Sequence, residues 1–159
     1  MKKITFALFA LIAGTSFAQN SANAEASTFA EIVEPLKIVK NNDLDFGRII
    51  GGTAGGGTVT ISAEDGATRT IGAALDAPGG NIQAAEFSIT SSDYTYGITM
   101  TNTDLTATGL TNMEFSPVSS LGSSSTGDKT LYVGGALTVG SDQEAGEYEG
   151  TVTVTVSYN

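Results

Sequence analysis

The chain has 159 residues, with 17 acidic against seven basic side chains, a formal net charge of −10, and no cysteine, histidine or tryptophan. This composition excludes Ser-His-Asp and Cys-His nucleophilic sites, zinc centres of His and Cys, and disulfides. Without clustered Lys or Arg, it also argues against nucleic acid and anionic lipid as partners.

Taken in chain order, the first element is a leader. Lys2 and Lys3 precede an apolar run, Ile4 to Gly14, in which only Thr5 is polar, and Ser16-Phe17-Ala18 supplies small residues for cleavage. This predicts a secretory signal peptide over residues 1–18, with a second candidate cut at Ala22-Asn23-Ala24. The run is too short for a permanent membrane span. Removing it leaves five basic and 17 acidic residues, a net charge of −12 on 141 residues, a length suited to one domain with a usable core.

Residues 19–33, "QNSANAEASTFAEIV", are polar and Ala-rich. Ala22, Ala24, Ala26, Ala30 and Ile32 occupy even positions and Thr28 interrupts them. The alternation is weak, and both a terminal tail and a small-residue strand satisfy it.

From residue 34 onward short apolar runs recur between Gly, Asn, Asp and Ser clusters. The predicted strands are Glu34–Val39, Asp45–Ile49, Thr58–Ser62, Thr70–Ala73, Ala85–Thr90, Tyr96–Thr101, Met113–Val118, Thr130–Val139 and Glu149–Tyr158. No helical period competes with them. The fold class is therefore all-β, an antiparallel sandwich with polar outer faces, spanning residues 34–159. Pro35 suits a strand start, and Pro117 predicts a strand end or a bulge. The last strand alternates without a break: Tyr148, Gly150, Val152, Val154, Val156 and Tyr158 share one face.

Candidate chemistry is sparse. "GGTAGGGT" at 51–58 lacks the lysine of a phosphate-binding loop and reads as a connection between strands. "NNDLD" at 41–45 and "GSDQEAGE" at 140–147 are oxygen-rich, but they miss the calcium-loop spacing and match turn chemistry. Tyr94 and Tyr96 share a strand face, which favours packing over sugar stacking. The carboxylates scatter, and no pair stands out for glycoside hydrolysis. No enzyme, cofactor or metal site is expected.

"LDFGRI" at 44–49, "GTVTIS" at 57–62 and "GEYEGTVTVTVSY" at 146–158 resemble the secreted domain family DUF4402 over about Pro35 to Asn159. The last strand is also similar to that of chaperone–usher pilus subunits, with a penultimate aromatic, Tyr158, and a glycine fourteenth from the end, Gly146. The resemblance implies an immunoglobulin-like, pilin-like sandwich, either complete or one strand short. In the latter case Gly146, Tyr148, Gly150, Val152, Val154, Val156 and Tyr158 would line an acceptor groove that meets a periplasmic chaperone's strand. Ala24, Ala26, Ala30 and Ile32 would form the donor face offered to the next subunit. The implied role is a structural subunit of a surface fibre used in adhesion. Its partners would be identical or related subunits, the chaperone and an outer-membrane usher, and its location the cell surface, reached through the periplasm. Two departures stand out: many pilus subunits carry a disulfide where this chain has no cysteine, and the donor side chains here are small. The alternative is a self-complete secreted module that binds carbohydrate or another surface component.

Overall fold

A computed structural model describes residues 21–51 and 55–158. The expected leader, Gln19 and Asn159 lie outside them. The chain divides between Glu31 and Ile32. Residues 21–35 form neither helix nor strand, and all are exposed.

The second unit is an antiparallel β-sandwich with eleven strands among the described residues. These are β1 (Lys37–Asn42), β2 (Arg48–Ile50), β3 (Gly57–Ile61), β4 (Arg69–Ile71), β5 (Asp76–Gly79), β6 (Ala85–Thr90), β7 (Thr95–Asn102), β8 (Phe115–Ser119), β9 (Ser124–Thr126), β10 (Lys129–Val139) and β11 (Val152–Tyr158). One sheet runs β1-β6-β10-β3-β4, with β8 also on β10; the second runs β11-β7-β9; β2 and β5 form a separate pair.

Alternation explains the core. In β3, Val59 and Ile61 are buried while Thr58 and Thr60 face water; in β6, Ala85, Phe87 and Ile89 turn inward. The long β10 adds Leu131, Val133, Leu137 and Val139. From the second sheet come Tyr96 and Ile98. Tyr96 is fully buried and its hydroxyl donates to the Gly127 carbonyl at 3.0 Å, so the phenol is satisfied. Tyr94 stays 41% exposed and meets Tyr158 edge-on, with centroids 6.2 Å apart.

Strand boundaries differ from expectation in physically readable ways. The first strand begins at Lys37 rather than Glu34, beyond Pro35, which has no N–H to give. Asp45 forms an isolated bridge with Gln83, and the strand proper starts at Arg48. Pro117 neither ends nor bulges its strand. The bonds Thr138 N to Glu114 O and Ser120 N to Tyr132 O show that even residues of β8 bond to β10. Pro117 opposes Gly135 between those bonded pairs, so its missing donor points away from the strand's single partner.

The β2–β5 pair depends on one cation. The Arg69 guanidinium on β4 donates to the carbonyls of Phe46 (2.7 Å), Arg48 (3.1 Å) and Ala77 (3.0 Å). Gly47, at φ +71°, leaves room for it, since a Cβ there would lie 2.7 Å from the guanidinium nitrogen. Arg69→Leu is expected to lower unfolding stability by about 2–3 kcal/mol, because hydrogen bonds to a charged group are lost and carbonyls are left without partners. Urea denaturation of the variant beside the parent checks this.

Candidate cleft between the sheet edges

Two of the strands that end their sheets are β11 and β1. β11 bonds only to β7, in register from Val152 opposite Asn102 to Tyr158 opposite Tyr96, and β1 bonds only to β6 among the described residues. Both send apolar side chains to one core. Leu36 and Ile38 from the β1 side and Val152, Val154, Val156 and Tyr158 from β11 pack on the cluster of Phe87, Ile89, Tyr96, Ile98 and Leu131. The inward residues of β11 are only half-buried, whereas the inward residues of β3, β6 and β10 are buried outright.

Beyond Val152 the space widens. One cavity of about 570 Å³ lies among Leu44, Phe46, Phe87, Leu105, Phe115, Tyr148 and Val152. A second, of about 830 Å³, shares Leu44, Phe46, Leu105 and Tyr148 with the first and reaches Met113, Leu137 and Val139. The shared lining makes them one cleft, walled by residues 44–46 on one side and 144–152 on the other. Its floor is the aromatic core, where Phe46 and Phe115 meet edge-on at 5.8 Å.

Four of the seven expected acceptor residues line this cleft, whereas Val154, Val156 and Tyr158 line neither cavity and pack on the core beside it. Gly146 and Tyr148 line the larger cavity, and Tyr148, Gly150 and Val152 the smaller. Both glycines have steric reasons. A Cβ on Gly146 would lie 2.5 Å from Leu110 Cδ1, and one on Gly150 would lie 3.0 Å from Leu105 Cδ1 and 3.1 Å from the Asp104 carbonyl. A strap, residues 140–149, holds Tyr148 in place. Its hydroxyl donates to the Glu144 carbonyl at 2.9 Å and accepts from the Gln143 side-chain amide at 2.8 Å. That amide also donates to the Thr111 carbonyl at 2.6 Å. Glu149 then bridges Thr106, and Thr151 N donates to Thr103 Oγ1, bringing the chain into β11.

At the other end of β11, the Tyr158 hydroxyl donates to the Glu34 carbonyl at 3.0 Å, and Glu34 N donates to Ser92 Oγ at 3.2 Å. Residue 34 is thereby pinned to this end of the sandwich. The donor candidates Ala24, Ala26, Ala30 and Ile32 are exposed in the stretch without secondary structure. Phe29 is 90% exposed and Ile32 97%.

Sequence reasoning missed the opposite wall. Leu44 and Phe46 alternate within the quoted "LDFGRI", a signal read as family likeness rather than as groove lining. Leu105 sits in a Thr-rich stretch with no period to mark it.

The first oxygen-rich segment makes one local turn, at Asp45, and otherwise ties β1 and its exit to residues far along the chain. The Asn41 side-chain amide donates to Glu86 and Ser88, and Asp45 accepts from Gly47 N and from the Asn81 amide. Among the described residues no three acidic groups are placed to hold a metal. Outside the cleft, the Tyr132 phenol is pushed above its ordinary value by desolvation and by the nearby charges of Asp65 and Glu86.

A family model described as "Domain of unknown function (DUF4402)" matches residues 36–158. The chain belongs to the DUF4402 family. No curated protein and no solved structure matches it. The DUF4402 match starts at Leu36, next to β1, and runs to Tyr158, so it includes both walls of the cleft. Residues 21–35 precede it.

Proposed function

We propose that this DUF4402 protein is a structural subunit of a bacterial surface fibre, in which each copy is completed by an extended segment of its neighbour. The observation that carries the reading is that β1 and β11 each end a sheet and send apolar side chains to one core, with the inward face of β11 left half-exposed. An added strand between them would bond to main-chain groups on both sides and bury the half-exposed face of Val152, Val154, Val156 and Tyr158. The same demand would be met before assembly by a periplasmic chaperone's strand, and delivery would pass through an outer-membrane usher. Repeated head to tail, the contact does not close on itself and yields a fibre. The reading gives the protein no catalytic task.

A second reading, a self-complete surface-binding module, draws on the Tyr158–Glu34 bond, which ties the lead-in of β1 to the end of β11 within one chain. Deleting residues 19–33 separates the two. Strand donation predicts a protein that no longer polymerises but is still captured by a strand supplied in trans. The module reading predicts unchanged folding and solubility, measured by circular dichroism and sedimentation.

A further inference from the structure

Charge is shared unevenly along the chain, and this bears on which strand the sheet edges accept. The inference rests on the strand-donation reading and names what those edges select in the incoming segment. Beyond the leader the chain has five basic residues against 17 acidic ones. Two of the five, Lys37 and Lys40, lie on β1, a strand without an acidic residue. β11 carries no charge at all. The two edge strands that would receive a donor are thus net positive in an otherwise acidic chain. Leu36 and Ile38 pack on the core, so Lys37, between them, faces outward, and it is exposed. Among the described residues the one ion pair is Lys40–Asp43, at 2.5 Å, and it leaves the Lys40 side chain 55% exposed, on the rim of the smaller cavity. The carboxylate on the neighbouring strand, Glu86 of β6, accepts from the side-chain amides of Asn41 and Asn42 instead.

The exposed segment has the opposite sign. Residues 21–33 carry Glu25 and Glu31 and no basic residue. With the even-numbered face inward, both glutamates project outward, on the same side as Lys37. β1 and β11 are six and seven residues long, and Glu25 to Glu31 spans seven. A donor laid along them in either direction carries one carboxylate toward each end. On that outer side β11 adds only Thr153, Thr155 and Ser157, which hold no charge to oppose it. We infer that Lys37 and Lys40 recognise Glu25 and Glu31 of the next copy, so that the edges select an acidic strand. Opposite charges on adjacent strands favour pairing and like charges oppose it. At an exposed edge the larger effect falls on the rate of encounter. Copies with a net charge of −12 repel one another, and the lysines of β1 give the incoming segment one place where that repulsion is reversed.

Charge exchange in a chain of residues 19–159 tests this. Variant A carries Glu25→Lys and Glu31→Lys, both in the exposed segment without secondary structure, where the fold of the sandwich is not at stake. Variant B carries Lys37→Glu and Lys40→Glu. Light scattering follows the assembly of each alone and of the two mixed. Alone, each has a donor and an acceptor edge of like charge, and assembly about 10-fold slower than the parent's is expected. In the mixture the donor of A meets the edge of B and the donor of B the edge of A, and the parent's rate returns. Lys37→Glu alone keeps the Lys40–Asp43 pair; it should slow assembly in the same direction, and it replaces B if circular dichroism shows B misfolded. General repulsion between acidic copies predicts the opposite for A, which has less net negative charge than the parent. Assembly of A faster than the parent, with no gain on mixing, overturns the inference and leaves strand donation intact. B slow with A at the parent's rate overturns it too, because the lysines then serve something other than these glutamates. A parent that forms no polymer overturns strand donation and the inference with it.

Discussion

Val154→Asp is expected to stop assembly while leaving the isolated domain folded. Val154 sits at the middle of β11, opposite Met100, and is half-buried beside the open edge. In the free subunit a carboxylate there keeps one side toward water, so its cost is modest, about 1–2 kcal/mol for the lost apolar contact. Once a donor strand lies over it, the same carboxylate loses that water and gains no cation: the donor's inward residues are alanine, threonine and isoleucine. An unpaired charge in such a place costs about 3 kcal/mol or more, a drop of roughly 100-fold or more in the association constant. Thr153→Asp, one position along on the outer, exposed face, is the control and should assemble normally. Light scattering of parent and variants at one concentration reads the effect. Normal polymerisation of Val154→Asp would remove β11 from the groove.

Gly134→Val is expected to unfold the domain. β10 changes partner here: residues 129–133 pair with β6, residues 135–139 with β3, and residues 133–137 with β8. β3 and β8 share residues 135–137 and so lie on opposite sides of the strand. At this crossing three backbones come close, and a Cβ on Gly134 would overlap the Ile61 carbonyl oxygen and lie 2.8 Å from the Ser62 carbonyl carbon. Main chain cannot rotate aside as a side chain does, so the ladder must separate. A cost beyond about 3 kcal/mol follows, a large part of a typical domain's 5–15 kcal/mol. Gly122→Ala is the control, because nothing lies within 4 Å of its added Cβ. Thermal unfolding should show the first variant unfolded or strongly destabilised and the second near the parent.

The sequence revealed elements whose side chains alternate and hid those held by others. β3, β6, β10 and β11 alternate apolar with polar residues, broken in β10 by Gly134 and Gly135, and their inward faces follow directly. β5 reads "DAPG", with Pro78 and Gly79 arguing against a strand. It forms because β2 pairs with it and Arg69 from β4 holds the Ala77 carbonyl. β9 is "SST", with no apolar residue, and is recruited by β7 through register and a Thr95–Thr126 hydroxyl contact of 3.0 Å. The cleft was half legible for the same reason. Its β11 wall is a continuous pattern, whereas Leu44, Phe46 and Leu105 come from segments that meet only once the sandwich has closed. Gly146 and Gly150 were visible as letters, but their role, room for Leu110 and Leu105, is a tertiary property.

In the proposed assembly the sandwich takes its covering strand from another copy. This is checked by the mass of a chain of residues 19–159 in size-exclusion chromatography with light scattering. A form with "QNSANAEASTFAEIV" fused after Asn159 through a flexible linker is run beside it. The account predicts multimers or aggregates for the first and a stable monomer for the second, whose own segment lies over β11 and shields it from other copies. A native chain that is already a cooperatively folded monomer, unchanged by the fusion, would contradict it.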